Sequence, residues 1–294
     1  MAQKDGVSAP VSNQFRIWTA DWIGITNAAD VAAKRQALID YIWGAEGWPT
    51  NRLVSVVSTN AQDWVTQSLR NEAGNLASVE VYQQSLPYGL TASQTHYRPI
   101  QGNGELVIFH SSHYGSAYSD DVWANNGGAT PGLVIPALLK AGYAVLTLDM
   151  PVYSQYPRPT VSVPGQGEVT LNYHCDLFQY LERPFRFFLE PIVVALNYVQ
   201  DQYHYQRVFM TGLSGGGWTT TVYAALDERI TGSFPVAGSV PNYLRVGLEG
   251  LGDCEQDDSG FYRIANYNGV SINVDHGAGD HDRRCYRARL EESR

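Results

Sequence analysis

Apolar and polar positions along this chain follow two different periods, and the alternation between them sets out the architecture. Val79-Glu80-Val81-Tyr82-Gln83 alternates residue by residue, as a strand with one buried face does. Gly89 punctuates, His96-Tyr97-Arg98-Pro99-Ile100 follows, and Asn103-Gly104 marks a turn into Leu106-Val107-Ile108-Phe109. That last run is apolar throughout, as is Tyr143-Ala144-Val145-Leu146-Thr147-Leu148 apart from its threonine, the pattern of strands covered on both faces. Helical spacing separates these runs. After Asn27, Val31, Leu38, Ile39, Ile42 and Trp43 fall near one face, with Gly44 as the stop. Pro131 to Lys140 reads as a helix with proline in its first turn, ended by Gly142, and a third helix starts from about Pro191 with Ile192, Leu196 and Val199 on one side.

Strands alternating with helices predict a parallel sheet, hence an α/β fold. Residues 1–25 hold no sustained period, although Phe15, Ile17, Trp18, Trp22 and Ile23 would cover a sheet edge, and 45–77 give only scattered apolar positions. From Met150 to Leu181 the prolines at 151, 157, 159 and 164 predict a loop excursion over one end of the sheet, a place where clefts are shaped. Gly232 to Gly238 and Val270 to Val274 are the last predicted strands. The implied organisation is an N-terminal extension, 1–77, with one helix packing on a core of 78–294 that carries the excursion at 150–181.

One stretch carries chemistry. Arg207-Val208-Phe209-Met210-Thr211 runs as a strand into Gly212-Leu213-Ser214-Gly215-Gly216, and Trp218 to Leu226 continues as a helix. A Gly-x-Ser-x-Gly turn between a strand and a helix is a nucleophile elbow, in which the serine is held in a strained conformation and glycines two positions either side remove colliding side chains. The helix that begins at the serine points its first N–H groups and its positive end above Oγ, so Gly215 N–H is the first expected oxyanion donor. A phosphate loop would need Gly-Lys-Ser/Thr, which does not follow.

Composition narrows the partners. With 294 residues and 44% hydrophobic content, one α/β domain with a large core is expected. Acidic residues number 29 against 20 basic, a net charge of −9, and no Lys/Arg-rich run suggests a face for nucleic acid. No stretch has the length of a membrane span, and Met1-Ala2-Gln3-Lys4-Asp5-Gly6 has no signal-peptide core, so the chain reads as soluble. Only three lysines beside many Tyr, Trp and Gly suggest a secreted enzyme whose leader lies outside this sequence. Cys175, Cys254 and Cys285 allow at most one bridge and form no Cys-x-x-Cys zinc element. No cofactor is implied.

The arrangement resembles the α/β-hydrolase superfamily, specifically carboxylesterase-like members with Gly-Leu-Ser-Gly-Gly-Gly at the elbow, over roughly residues 78 to 282. The resemblance implies a mostly parallel central sheet with helices on both faces, and hydrolysis of a small or polymeric carboxylic ester through an acyl-enzyme on Ser214. It places an oxyanion loop at His110-Ser111-Ser112-His113-Tyr114-Gly115, with the second donor the N–H of Ser111 or a neighbour. His110 and His113 offer a weak metal spacing, and loop shaping is the preferred role; His174 and Cys175 read as a packed loop. Tyr153, Tyr156, Trp123 and Tyr173 are the aromatic residues expected around the cleft.

By the same resemblance the acid is Asp280, with Asp275 next, in Ile272-Asn273-Val274-Asp275-His276-Gly277-Ala278-Gly279-Asp280. A strand and loop delivering the histidine should follow. Instead Asp282 to Arg294 is a basic tail, and His281 is too close in sequence to Asp280. Three readings follow: a C-terminally incomplete hydrolase, which the tail favours; an earlier acid among Asp253, Asp257 and Asp258 with His276 or His281 as base; or a hydrolase scaffold that binds without catalysis. A prolyl-oligopeptidase-like peptidase shares the elbow, but 77 leading residues are too few for its propeller.

Overall fold

A computed structural model of the chain describes residues 25–59, 64–112, 134–153, 158–239, 253–256 and 258–265. The first helix, α1 (Ala28–Trp43), starts where Asn27 accepts from Ala29 N and Asp30 N at 2.8 and 3.1 Å while Asp30 returns a bond to Asn27 N, and Gly44 ends it at φ 60°. The strands are β1 (Ser55–Thr59), β2 (Leu76–Ser85), β3 (Thr91–Pro99), β4 (Glu105–His110), β5 (Ala144–Leu148), β8 (Arg207–Leu213) and β9 (Ile230–Val236), in sheet order β1-β2-β3-β5-β4-β8-β9. Pairing is parallel through β5-β4-β8-β9 and antiparallel through β1-β2-β3-β5. The sheet is therefore mixed, and its parallel half contains the elbow.

Alternation along the strands sorts side chains between the two faces. Leu106 and Ile108 of β4 and Ala144, Leu146 and Leu148 of β5 join the larger core, while Phe109 and Val145 join the smaller one. The larger core packs under α1, α5 (Arg186–Tyr203) and α6 (Gly215–Leu226); the smaller lies under α2 (Trp64–Ala73) and α3 (Val134–Lys140). Helices thus cover both faces, and each parallel crossover is housed.

Three sequence expectations are corrected. The weak stretch 45–77 supplies edge strand β1 and helix α2, because an edge strand whose burial runs almost wholly exposed shows no alternation to read. Helix α5 begins five residues before Pro191, which sits inside it and removes one helical N–H; the buried pair Arg186 and Glu190 hides the earlier turn from an apolar pattern. The helix predicted from Pro131 is α3, described from Val134. The excursion is not irregular throughout. It holds a hairpin, β6 (Thr160–Val163) with β7 (Gly167–Thr170), and a helix, α4 (Cys175–Tyr180). Pro164-Gly165 is its turn: Gln166 N donates to Val163 O at 3.0 Å and Gly165 takes φ 79°, the positive value a type II turn requires.

Two buried polar clusters brace the larger core. Glu190, fully buried, accepts from Trp43 Nε1 at 3.1 Å and pairs with Arg186 and Arg52, while Arg186 grips Glu46 with two bonds of 2.8 and 2.7 Å. Under the C-terminal end of α5, Tyr82 Oη donates to Glu80 at 2.6 Å and lies 2.8 Å from His96 Nδ1, whose Nε2 is 2.8 Å from Tyr205 Oη. Tyr82 has one proton and gives it to Glu80, so His96 carries its own on Nδ1 and accepts from Tyr205 through Nε2. No helix among the described residues is long and apolar enough to cross a membrane.

Candidate active site

In the parallel half, His110 is level with Leu148 of β5 on one side and with Gly212 of β8 on the other. Chain order reverses across β4, so the crevice at these C-terminal strand ends is a topological switch point, the place where open α/β sheets bind ligands. Ser214 stands there, between the end of β8 and the first residue of α6. Its backbone takes φ 55° and ψ −115°, a conformation that L residues rarely adopt, held by Ser214 N donating to Val236 O at 2.8 Å and Ser214 O accepting from Trp218 N at 2.9 Å.

The glycines explain how so tight a turn closes. A Cβ on Gly212 would stand 2.5 Å from Gly216 O and 2.8 Å from His110 O, and one on Gly216 would meet Ser111 O at 2.5 Å with His110 O nearer still. Gly217 and Gly238, outside the motif's spacing, do the same between α6 and the end of β9: a Cβ on Gly217 would be 2.5 Å from Val236 O. Helix α6 is buried along its whole length, and Thr219, Thr220 and Thr221 satisfy their hydroxyls on carbonyls one turn back at 2.9, 2.8 and 3.1 Å. Trp218 locks the helix down, stacked on Phe185 at 5.7 Å with Nε1 donating to Tyr262 Oη at 3.1 Å.

The oxyanion loop needs one correction. Ser111 N donates to Leu148 O at 2.9 Å, so this amide belongs to the sheet and does not face a substrate oxygen. Ser111 Oγ accepts from Met150 N at 3.1 Å, and His110 Nδ1 donates to Ser111 O at 3.0 Å because a carbonyl can only accept. His110, buried, thereby holds the Ser111–Ser112 peptide beside Gly216, in keeping with the loop-shaping role.

Asp275, His276, Asp280 and His281 lie outside the described residues, as do His113, Trp123, Tyr156 and Asp257. The two earlier acids that are described are engaged elsewhere. Asp258 caps α7 (Ser259–Ile264), accepting from Phe261 N at 2.7 Å, and also accepts from Tyr41 Oη at 2.7 Å. Asp253 is 3.3 Å from His174 Nε2, and Glu255, fully buried, is 3.5 Å from the same atom. Burial alone would depress the His174 pKa, but hydrogen bonds and charge from Asp253 and Glu255 outweigh it and raise the value to about 9, so the imidazole is a cation at neutral pH.

Cys175 and Cys254 are disulfide-bonded beside this group, which ties α4 to the turn at 253–256. His174, Cys175, Asp253 and Cys254 place potential ligand atoms within 4.8 Å of one another, yet both sulfurs are bonded to each other and offer no thiolate. The sequence allowed one bridge and read His174 as packing; it gave no sign of the two carboxylates, which lie 79 and 81 residues further on. Of the aromatic residues expected at the cleft, Tyr173 is half exposed against His174, while Tyr153 lies under the Arg158 guanidinium, 5.8 Å from ring centroid to Cζ.

No family model matches the chain, and no curated protein matches it. Among solved structures, acetyl xylan esterase 1 from Thermoanaerobacterium sp. JW/SL YS485 is similar at 16% identity and TM-score 0.47, over 83% of this chain and 72% of that one. Acetyl xylan esterase from Paenibacillus sp. R4 is similar at 15% identity and TM-score 0.40, over 78% and 77%. A methylesterase is similar at 16% identity and TM-score 0.46, over 75% of this chain and 44% of its own. A Bacteroides fragilis protein assigned to the acetyl xylan esterases matches with TM-score 0.44, and this chain spans about half (51%) of its length. The chain's own topology and elbow define an α/β-hydrolase type of architecture.

Proposed function

We propose that this chain is a serine hydrolase that cleaves carboxylic esters, with Ser214 as nucleophile. The observation that carries the reading is Ser214 at positive φ between β8 and a buried helix, with Gly212 and Gly216 admitting the backbone contacts that hold it there. A non-glycine residue keeps such a conformation only where its surroundings impose it, and a strand-to-helix elbow uses it to present Oγ at the switch point. Oγ attacks the ester carbonyl as its proton passes to the base; Gly215 N–H, at the positive end of α6, stabilises the oxyanion; the C–O bond of the ester breaks and the alcohol leaves with that proton; water then cleaves the acyl-enzyme to the carboxylic acid and restores Ser214. Because Ser111 N is bonded to Leu148 O, the second amide falls to a neighbour of Ser111 in the loop.

A base must take the serine proton, and an acid must orient it. Of the chain's seven histidines, the four described have other partners or places: His96 between two tyrosines, His110 on Ser111 O, His174 between two carboxylates, and His204 as the left-handed end of α5. That leaves His113, His276 and His281; His113 precedes the serine, so the chain order serine-acid-histidine assigns the base to His276 or His281, with Asp257 as the remaining earlier acid or Asp275 ahead of His281. Labelling of the purified chain with a fluorophosphonate, followed by peptide mapping, tests this. Modification at Ser214, lost in Ser214→Ala, is the expected result; a folded chain that is not labelled would refute the nucleophile assignment.

A further inference from the structure

We propose that His174, Cys175, Asp253 and Cys254 form a zinc site once the bridge between the two cysteines is reduced, so that disulfide and metal are alternative ties at one place in the fold. The four residues come as two neighbouring pairs, His174-Cys175 and Asp253-Cys254, with 79 residues of separation between the cysteines, and the fold converges their ligand atoms to within 4.8 Å of one another. Nothing in the site depends on the role of Ser214.

Distances inside the cluster suit the metal. Zn–S bonds of about 2.3 Å and Zn–N or Zn–O bonds of about 2.0 Å set the edges of a tetrahedral site at roughly 3.3–3.8 Å. Asp253 Oδ2 lies 3.3 Å from His174 Nε2, and Asp253 Oδ1 lies 3.2 Å from Cys175 Sγ. The carboxylate thus already spans the histidine and one cysteine at the separation of such edges. Once no bond joins them, the two sulfurs part to non-bonded contact, close to the sulfur–sulfur edge of the same tetrahedron. Glu255, fully buried, stands 3.5 Å from Nε2 and 3.7 Å from Cys254 Sγ. A dication at Nε2 keeps this buried carboxylate opposite a positive charge.

The donor set selects the ion. Two thiolates, an imidazole and one carboxylate make a borderline-soft site with four protein ligands, which suits zinc, whereas magnesium and calcium call for oxygen donors throughout. Cys175, Cys254 and Asp253 are partly exposed, so both a reductant and the metal can reach them. A dithiol supplies the two electrons: one of its sulfurs attacks the bridge to form a mixed disulfide, the other displaces the protein sulfur, and the products are two cysteine thiols and the cyclic disulfide of the reductant. Zinc then takes both sulfurs as thiolates and His174 through neutral Nε2, while the two thiol protons and the imidazolium proton pass to solvent. In either state α4 stays joined to the turn at 253–256, ahead of α7, whose Tyr262 holds Trp218 of the elbow helix.

The test uses the full chain carrying Cys285→Ser, which removes the third thiol, reduced with dithiothreitol and desalted without oxygen. Cobalt(II) should give the visible bands of tetrahedral geometry together with near-ultraviolet thiolate-to-cobalt charge transfer, and one equivalent of zinc should erase both. Zinc should raise the Tm of the reduced chain, and the oxidised chain should bind zinc roughly 100-fold more weakly. His174→Gln and Asp253→Asn should each weaken zinc about tenfold or more. An octahedral cobalt spectrum without charge transfer, equal zinc affinity in the oxidised and reduced chains, unchanged affinity in either variant once folded, or a reduced chain that unfolds and is not restored by zinc overturns the proposal. Where a variant does not fold, the cobalt spectrum of the reduced parent decides.

Discussion

Adding one methyl group at Gly216 tests whether the elbow depends on backbone contact. In Gly216→Ala the new Cβ would lie 2.5 Å from Ser111 O and nearer still to His110 O. Carbon and oxygen normally approach to ~3.4 Å, so the end of β4 must move away from α6 by about 0.9 Å or more. Both sides are backbone, and β4 is pinned in parallel register between β5 and β8, so no rotamer change relieves the contact. Overpacking of this kind costs ~3 kcal/mol, equivalent to a fall of roughly 6 °C or more in Tm for a domain of this size. Because Gly216 does not require positive φ, the whole cost is steric. Gly74→Ala is the control: Gly74 takes φ 62° with nothing near its absent Cβ, so only the left-handed penalty of about 1–2 kcal/mol applies. Differential scanning calorimetry of both variants decides the matter. Displacing the oxyanion loop by about 1 Å should also slow fluorophosphonate labelling of Ser214 on the order of 100-fold. A Gly216→Ala protein that melts no lower than Gly74→Ala would refute the contact argument.

Three further perturbations follow from the buried groups. Removing the Cys175–Cys254 bridge with paired alanines releases a loop of 79-residue separation, and the chain-entropy relation gives ~4.5 kcal/mol, read as a lower denaturant midpoint; a shift below about 1 kcal/mol would show that the tie is redundant. His174 has a folded pKa of about 9, above its ordinary 6.5, so its ion pairs stabilise fully below pH 6.5 and the contribution, ~3 kcal/mol, is lost as pH rises through about 9. A Tm that stays flat from pH 7 to pH 10 would contradict this, as would the same slope in His174→Gln. Glu80, beside His96 and accepting from Tyr82 and Tyr203, is held down to about 2; its contribution is intact above pH 4.5 and lost as pH falls toward 2, so Tyr203→Phe should raise the acid-unfolding midpoint.

What the sequence discloses depends on how local the responsible interaction is. The Asn27 cap, the Asn103-Gly104 turn, the two-face strands β4 and β5, and the strand-turn-helix around Ser214 are each written within a few residues, and each is present in the fold. Edge strand β1 is invisible because Val56 and Val57 both face solvent, so its sequence carries no period. The start of α5 is masked for the opposite reason: Arg186 and Glu190 are buried, but only because Glu46, Arg52 and Trp43, at least 138 residues earlier, receive their charges and hydrogen bonds.

The same distinction divides the site. The elbow's glycines are legible, since a tight turn excludes side chains at fixed spacing, but the partners they admit are carbonyls of β4 about a hundred residues upstream. The family resemblance places the second donor at Ser111 or a neighbour; whether the Ser111 N–H faces the sheet or the substrate is decided by how far β5 extends alongside it, and β5 reaches far enough for Leu148 to claim that amide. In the proposed site that reach moves the second donor past Ser111 to a neighbour in the loop. A substitution that shortens β5, such as Leu148→Pro, should therefore loosen the Ser111 peptide beside Gly216 and slow fluorophosphonate labelling of Ser214. Unchanged labelling in a folded variant would show that the loop takes its place from other contacts.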